Sequence, residues 1–313
     1  MTAVSIIIPA YNEETVIRSV VDRVRETMST SHIEHEIIVV VDGATDSTAD
    51  EAATIADQVI VHPQNLGYGQ SLKTGITAAT NNLIAITDAD GTYPVERLPD
   101  MIGLADKFHM VVGARTGKFY QGNMIKRYAR VAFRMLSEFA AGRKIPDINS
   151  GLRIFRRSQI MPFFPIISAG FSFTTTSTLA YMLNGLFVHY TPIEYHKRAG
   201  RSKVRHVRDS LRAAQIIVEA ILRCNPIKIF LLMAMPFVML SFLLTVASVL
   251  TLNWICAFAA IVALATATIV LGFGFAAVAI KPIQPTLDPM AVNTTSDIAW
   301  DSEMVDTHKR LPR

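Results

Sequence analysis

Two long runs without a single charge limit what this chain can become. From Ile229 to Leu252, and again from Trp254 to Ile280, no Asp, Glu, Lys or Arg occurs. Each run exceeds the roughly 20 residues that a helix needs to cross a bilayer. Helices in soluble cores usually keep a polar stripe, so the runs read as two transmembrane helices, with a hairpin buried in a soluble core as the poorer alternative. Only the neighbourhood of Asn253 separates them, which predicts a tight hairpin with both outer ends on one side. Between residues 195 and 228, Lys197, Arg198, Arg201, Lys203, Arg205, Arg208, Arg212, Arg223 and Lys228 stand against Asp209 and Glu219, and Lys281 follows the second run. The positive-inside rule then predicts a two-span protein of the cell membrane with both termini cytoplasmic. The absence of a basic-led apolar signal-peptide segment ahead of the first strand agrees with that expectation.

The rest of the chain is too polar to be embedded. With 50% hydrophobic and 18% charged residues over 313 positions, the sequence is a mixture of a membrane part and a soluble part. A net charge of +4 argues against an extended nucleic-acid-binding surface. Cys224 and Cys256 are the only cysteines, which excludes a disulfide framework and a cysteine zinc cluster. Between Val207 and Cys224, Leu211, Ala214, Val218, Ile221 and Leu222 recur at helical spacing while Arg208, Arg212, Gln215 and Arg223 fall elsewhere. This predicts an amphipathic helix, lying on the membrane face or packed on the soluble domain. The expected organisation is a soluble domain over 1–205, a juxtamembrane helix over 206–226, the hairpin over 227–281 and a disordered polar tail over 282–313.

In the soluble part, Val4–Ile8, Ile37–Val41, Val59–Val61, Leu83–Thr87 and Met110–Val112 read as strands separated by helical patterns. Continuous apolar strands alternating with helices mean an α/β fold with a mostly parallel sheet covered on both faces. Such sheets bind ligands beyond the carboxyl ends of their strands. Here those ends carry Pro9 to Glu14, Asp42 to Thr48, His62 to Gly69 and Asp88 to Pro94. Each segment alone could be a cap or a turn; their coincidence at one edge points to a site. Gly67, Gly69 and Gly75 do not fit the dinucleotide fingerprint, and no P-loop lysine pattern is present. Asp88 and Asp90, one residue apart after a buried strand, suit a divalent cation with positions left open for phosphate oxygens.

These residues resemble a known family. Ile8-Pro9-Ala10-Tyr11-Asn12-Glu13, Val41-Asp42-Gly43-Ala44-Thr45-Asp46, Asn65-Leu66-Gly67-Tyr68-Gly69, Asp88-Ala89-Asp90, Asp147-Ile148-Asn149-Ser150-Gly151-Leu152-Arg153 and Gly200-Arg201-Ser202-Lys203 are similar to the motifs of inverting family 2 glycosyltransferases of the GT-A fold. More narrowly they resemble the polyprenyl-phosphate glycosyltransferases. The resemblance implies transfer of a hexose from a nucleotide-sugar, a UDP-sugar such as UDP-glucose ahead of GDP-mannose, to undecaprenyl or dolichyl phosphate. It implies a donor held by Pro9, Tyr11, Glu13, Asp42, Gly67 and Asp88, with Mg²⁺ or Mn²⁺ on Asp88 and Asp90. Two departures stand out: Val41 replaces a first acid, and Thr92 stands where many mannose-transferring members have glutamine.

Inverting transfer builds negative charge on the departing diphosphate, which cations stabilise. A lipid monophosphate is already ionised and needs mainly orientation. The residues assigned to it are Arg127, Arg130, Ser150, Arg153, Arg201 and Lys203. Arg127, Arg130 and Arg134 share one helix face, which fits phosphate binding and a solvated or anionic-lipid-facing stripe equally. Asp147, with Asp90 and Arg115, is assigned to catalysis; it could position the acceptor, act as a base or serve a turn. The Phe171 to Ser177 segment could line the acceptor groove, or its threonine run could simply start a helix or form a strand. Alternatives are a different lipid or polysaccharide acceptor, or an inactive nucleotide-binding membrane adaptor. The small residues around Gly272 and Gly274 are candidates for homo-oligomer contacts.

Overall fold

The computed structural model describes residues 3–117, 124–196, 215, 218, 222 and 226–279, with the backbone alone at 124–130, 132 and 226. Seven strands, β1 (Val4–Ala10), β2 (His35–Asp42), β3 (Gln58–His62), β4 (Leu83–Ile86), β5 (Met110–Thr116), β6 (Arg153–Arg156) and β7 (Val188–Glu194), form one sheet. Their order is β3-β2-β1-β4-β6-β5-β7. The helices are α1 (Ile17–Thr30), α2 (Thr48–Ala53), α3 (Tyr68–Ala78), α4 (Leu98–Ile102), α5 (Met124–Ala141), α6 (Arg157–Ile160), α7 (Phe173–Leu183), α8 (Pro226–Thr251) and α9 (Trp254–Ala279).

All five expected strands are present, and their sequence pattern explains the layering. Along β2, Ile37, Val39 and Val41 enter the core shared with α1, while Ile38 and Val40 enter the opposite core, which takes in α3 and α7. Both faces are covered, so the run is apolar throughout rather than alternating. In α1, Ile17, Val20, Val21, Val24 and Met28 are the buried residues, at the spacing of one helix face. Full burial of each such side chain contributes about 1.5–3 kcal/mol.

Two strands were not expected. β6 pairs antiparallel with both β4 and β5, while β7 runs parallel to β5. An antiparallel strand in a parallel sheet turns its amino end toward the edge where its neighbours have their carboxyl ends. The segment that leads into β6, Asp147 to Leu152, therefore joins the edge reached by the segments that leave β4 and β5.

The charge-free runs form α8 and α9, two helices long and apolar enough to cross a membrane. Asn253 sits between them and its Oδ1 accepts the Ile255 backbone N–H at 2.9 Å, capping α9. Ser241 Oγ donates across the pair to the Ala260 carbonyl at 2.8 Å. A Cβ on Gly274 would lie 2.7 Å from Phe230 Cβ, so this glycine lets the helices approach closely. Their outer faces expose Leu231, Leu243, Leu250, Ile261 and Phe273, which suits lipid rather than water. Lys228, just ahead of the apolar run, donates to the Phe139 carbonyl of α5 at 3.1 Å. Within the expected juxtamembrane helix only Gln215, Val218 and Leu222 are described, each helical and exposed; its other residues, and the expected tail, lie outside the described residues.

Candidate active site

The carboxylate pair is built at the end of β4. Asp90 is buried and its Oδ1 accepts the Thr92 hydroxyl at 2.6 Å and the Thr92 N–H at 3.1 Å. Thr92 thus orients Asp90. Tyr68, the first residue of α3, donates its hydroxyl to Asp88 Oδ1 at 2.8 Å. Burial, and then the neighbouring Asp88 carboxylate, push the Tyr68 hydroxyl well above its ordinary pKa, so it stays a neutral donor. Gly151 lies against the same carboxylate: a Cβ there would come within 2.7 and 2.9 Å of the Asp88 oxygens. Any side chain at 151 would displace Asp88.

Among the described residues no group of three or more His, Cys, Asp or Glu gathers around one point. Two hard carboxylates, with further positions left to water and phosphate oxygens, suit Mg²⁺ or Mn²⁺ better than zinc.

Beside this pair stands an ion pair. Arg115, on β5, binds Asp147 through Nε to Oδ2 at 2.7 Å and Nη2 to Oδ1 at 2.9 Å. The Arg115 backbone N–H adds a bond to Oδ2 at 3.1 Å, and the Asn149 N–H one to Oδ1 at 3.2 Å. A carboxylate has about four acceptor positions, and all four are used here. Asp147 is 4% exposed, so this bidentate pair is sheltered from solvent screening. The guanidinium also lies 5.4 Å over the Tyr195 ring.

At the other strand ends, Pro9, Tyr11 and Glu13 are partly buried where β1 leaves the sheet. Asn12 Oδ1 accepts the Thr45 N–H at 2.8 Å, tying that exit to the one after β2. Asp42 is buried and committed to structure. Its Oδ1 accepts the Leu66 N–H at 2.9 Å and lies 2.8 Å from His62 Nδ1, while Oδ2 accepts the Gly67 N–H at 2.8 Å. His62 Nε2 lies 3.1 Å from Thr74 Oγ1. Gly67, with φ +102°, begins α3 in a conformation that favours glycine. Asp42 therefore holds the 65–67 loop, leaving one acceptor position for a donor. Asp42→Asn would turn an amide N–H₂ toward one of these donors, and about 1–3 kcal/mol of stability should be lost for each group left unpaired. An unchanged melting temperature would show that the network does not support the loop.

Two residues assigned to the acceptor phosphate are corrected. Ser150 is completely buried and donates to the Gly113 carbonyl at 2.5 Å. Arg153 is also completely buried, with its donors directed at the carbonyls and hydroxyls of the interior. Neither reaches a ligand at the surface. Of the Phe171 to Ser177 segment, Ser172 to Ser177 are likewise buried, while Phe171 is exposed and stacks on Tyr68 with ring centroids 6.0 Å apart. The side chains of Arg127 and Arg130, and all of Arg201 and Lys203, lie outside the described residues.

Sequence reasoning did not single out Tyr68, Thr92, Tyr93 or His62 for these roles. Tyr93 is buried and its hydroxyl oxygen accepts the Gly151 N–H at 2.6 Å. Thr92 had a local signal, since Asp-x-Thr is an ordinary side-chain-to-backbone turn. The other three act across the fold, and only the topology reveals their partners.

A mostly parallel sheet that gathers carboxylates and a buried Arg–Asp pair at one edge defines an α/β enzyme handling a charged ligand there. The family model for "Glycosyl transferase family 2" matches residues 5–162, just over half of the chain, and the chain belongs to that family. It is a glycosyltransferase with a GT-A fold. A dolichyl-phosphate hexose transferase of Haloferax volcanii is 30% identical over 206 residues, covering 64% of this chain and 86% of the relative. An undecaprenyl-phosphate 4-deoxy-4-formamido-L-arabinose transferase of Proteus mirabilis is 32% identical over 163 residues, 50% of each chain. The chain thus spans about half the length of that second relative. Among solved structures, glucosyl-3-phosphoglycerate synthase from Mycobacterium tuberculosis, in complex with Mn²⁺, UDP and phosphoglyceric acid, superposes with a TM-score of 0.58 at 17% identity, covering 70% of this chain and 78% of that one. At that identity the likeness concerns the fold.

Proposed function

We propose that this chain is a membrane-anchored, inverting hexosyltransferase that moves a sugar from a nucleotide-sugar, UDP-glucose ahead of GDP-mannose, to polyprenyl phosphate. The observation that carries this reading is the state of Asp147. A hydroxyl acceptor needs a base to remove its proton, and a carboxylate whose four acceptor positions are filled and whose charge is paired with Arg115 is poorly suited to that task. A phosphate monoester arrives ionised and needs none. The names of the relatives from Haloferax volcanii and Proteus mirabilis point to the same acceptor class.

Asp88 and Asp90 would hold Mg²⁺ or Mn²⁺, which when bound offsets the charge that collects on the departing diphosphate. Thr92 keeps Asp90 in place and Tyr68 keeps Asp88 in place. Arg115, fixed by Asp147, presents a cation beside the carboxylate pair and so favours anionic substrates there. Pro9, Tyr11, Glu13 and the 65–67 loop are the proposed donor contacts. Arg127, Arg130, Arg201 and Lys203 remain proposed contacts of the acceptor phosphate.

The anchor is the α8–α9 hairpin, read as two spans with the catalytic domain and both termini cytoplasmic. Exposed Val131, Met135 and Phe139, four residues apart on α5, support a bilayer surface beside the first span, because Lys228 at the head of that span bonds Phe139.

The test is to incubate the detergent-purified protein with undecaprenyl or dolichyl phosphate, Mg²⁺ or Mn²⁺, and a panel of UDP- and GDP-sugars, then to read the lipid extract by mass spectrometry. A hexosyl-phosphoprenol formed with one donor is the expected result. Donor turnover with no glycolipid would move the reading to another acceptor, and metal-dependent nucleotide binding with no turnover at all would favour the inactive adaptor.

A further inference from the structure

Arg153 is the largest side chain in the interior with no exposed surface, and no ion pair with a carboxylate is formed by it among the described residues. Removing a guanidinium from water without a counter-charge is costly, and an apolar side chain of similar volume commonly serves stability as well or better. The way it is held suggests why it is there. Nη2 donates to the Ile148 carbonyl at 2.6 Å, and Nε donates to the Ser150 carbonyl at 2.7 Å. On the other side Nη1 donates to Thr178 Oγ1 at 2.7 Å and Ser177 Oγ at 3.3 Å, both on α7.

In a trans peptide the C=O and the following N–H point in opposite directions. Turning the Ile148 carbonyl inward to Arg153 turns the Asn149 N–H outward, and that N–H donates to Asp147 Oδ1. Turning the Ser150 carbonyl inward turns the Gly151 N–H outward, and that N–H donates to the Tyr93 hydroxyl oxygen. A cation on each carbonyl also polarises the peptide, which strengthens its N–H as a donor. The peptide planes flanking Asn149 and Gly151 thus translate one buried charge into the placement of Asp147, and through it Arg115. The second plane also fixes Gly151, which has to stay against the Asp88 carboxylate.

We propose that Arg153 is a positioning residue for glycosyl transfer: its fork sets the two peptide planes that hold Asp147 and Gly151, and so registers Arg115 against Asp88. The guanidinium touches no substrate. Its charge also counts in the site's balance, because it adds a cation near the Asp147 carboxylate.

This rests on the transfer reaction and not on the identity of the acceptor, so it is tested by donor turnover as well as by glycolipid formation. Arg153→Met, Asp147→Asn and the double variant are compared in the full chain, with kcat, donor KM and the affinity for UDP in the presence of Mn²⁺. Arg153→Met should lower kcat about 100-fold and leave UDP affinity within about threefold, the pattern of an interaction that acts in the transition state. If Arg153 works through Asp147, the double variant should be little worse than the poorer single one. Arg153→Lys should restore only part of the loss, because an ammonium carries the charge without the fork. Multiplicative losses in the double variant, or a loss of UDP affinity matching the loss of kcat, would overturn the proposal. Should Arg153→Met fail to fold, Ser177→Ala with Thr178→Val loosens the same guanidinium from the α7 side; it should lower kcat about threefold to tenfold at unchanged donor KM, and unchanged kcat would equally overturn it. If the wild type turns over donor without making a glycolipid, the acceptor assignment fails while the comparison still decides the role of Arg153.

Discussion

Asp90→Ala should abolish metal-dependent donor binding and lower turnover by about 10³-fold or more, since the metal on this carboxylate is asked for several kcal/mol of transition-state stabilisation. The side chain is buried and oriented by two bonds from Thr92, so no neighbouring carboxylate can swing into its place without breaking other contacts. Two consequences follow from the loss. The cation site is halved, and the Thr92 hydroxyl and N–H lose their acceptor. Calorimetry with UDP, with and without Mn²⁺, separates them: a purely structural loss would weaken binding equally in both conditions. Binding that keeps its full Mn²⁺ dependence in the variant would remove Asp90 from the metal site.

Asp147→Asn should lower turnover by about 10²- to 10³-fold, the range expected when one partner of a buried pair is removed and the other is left charged. An asparagine keeps one acceptor oxygen, but it turns an N–H₂ toward the Arg115 fork, which two carboxylate oxygens now fill. Arg115 should then shift, while the donor contacts at the exits of β1 and β2 remain. UDP affinity is accordingly expected to stay within about threefold of the wild type. Wild-type turnover in the variant would make the pair a spectator, and an equal fall in UDP affinity would move its action to the donor side.

Much of the fold was legible because both faces of its central strands are covered. Runs such as Ile37 to Val41 are apolar at every position and announce themselves. β6 was hidden because it begins and ends with arginines, and Arg153 is buried by hydrogen bonds rather than by apolarity. β7 contains Pro192 and His189 and is only partly buried over most of its length, so it carries neither an apolar run nor a clean alternation. The site was legible in membership more than in role. Asp88, Asp90, Arg115 and Asp147 could be named from motifs, yet the ion pair links residues 32 positions apart, a separation that no local pattern reports. For Ser150 and Arg153 the motif gave the residues but not their direction, and an arginine in a basic region reads as a surface cation until its carbonyl partners are seen. Asp42 shows the same limit: its partners, Leu66 and Gly67, belong to the loop after the next strand.

The reversed direction of β6 leaves the two rims of the sheet unequal. One rim carries the exits of six strands and the approach to the seventh, and with them every assigned residue that the structure describes. Among the described residues the far rim carries the turns around residues 31–34, 54–57, 79–82, 103–109 and 184–187, and the exit of β6 into α6. Lengthening a surface loop costs only about 0.6 kcal/mol for each doubling, so the far rim is where an affinity tag, a fluorescent protein or a crystallisation chaperone can be inserted without disturbing the chemistry. The turn at 103–109 is a poor host, because His109 there accepts the Phe187 N–H through its ring. The turn at 54–57 is also tied down, by Arg25 to the Asp57 carboxylate. Ser31 and His32, exposed between α1 and β2, offer a port there, short of Ile33, which packs on the core, and they would give a handle on the enzyme from the rim opposite its carboxylates.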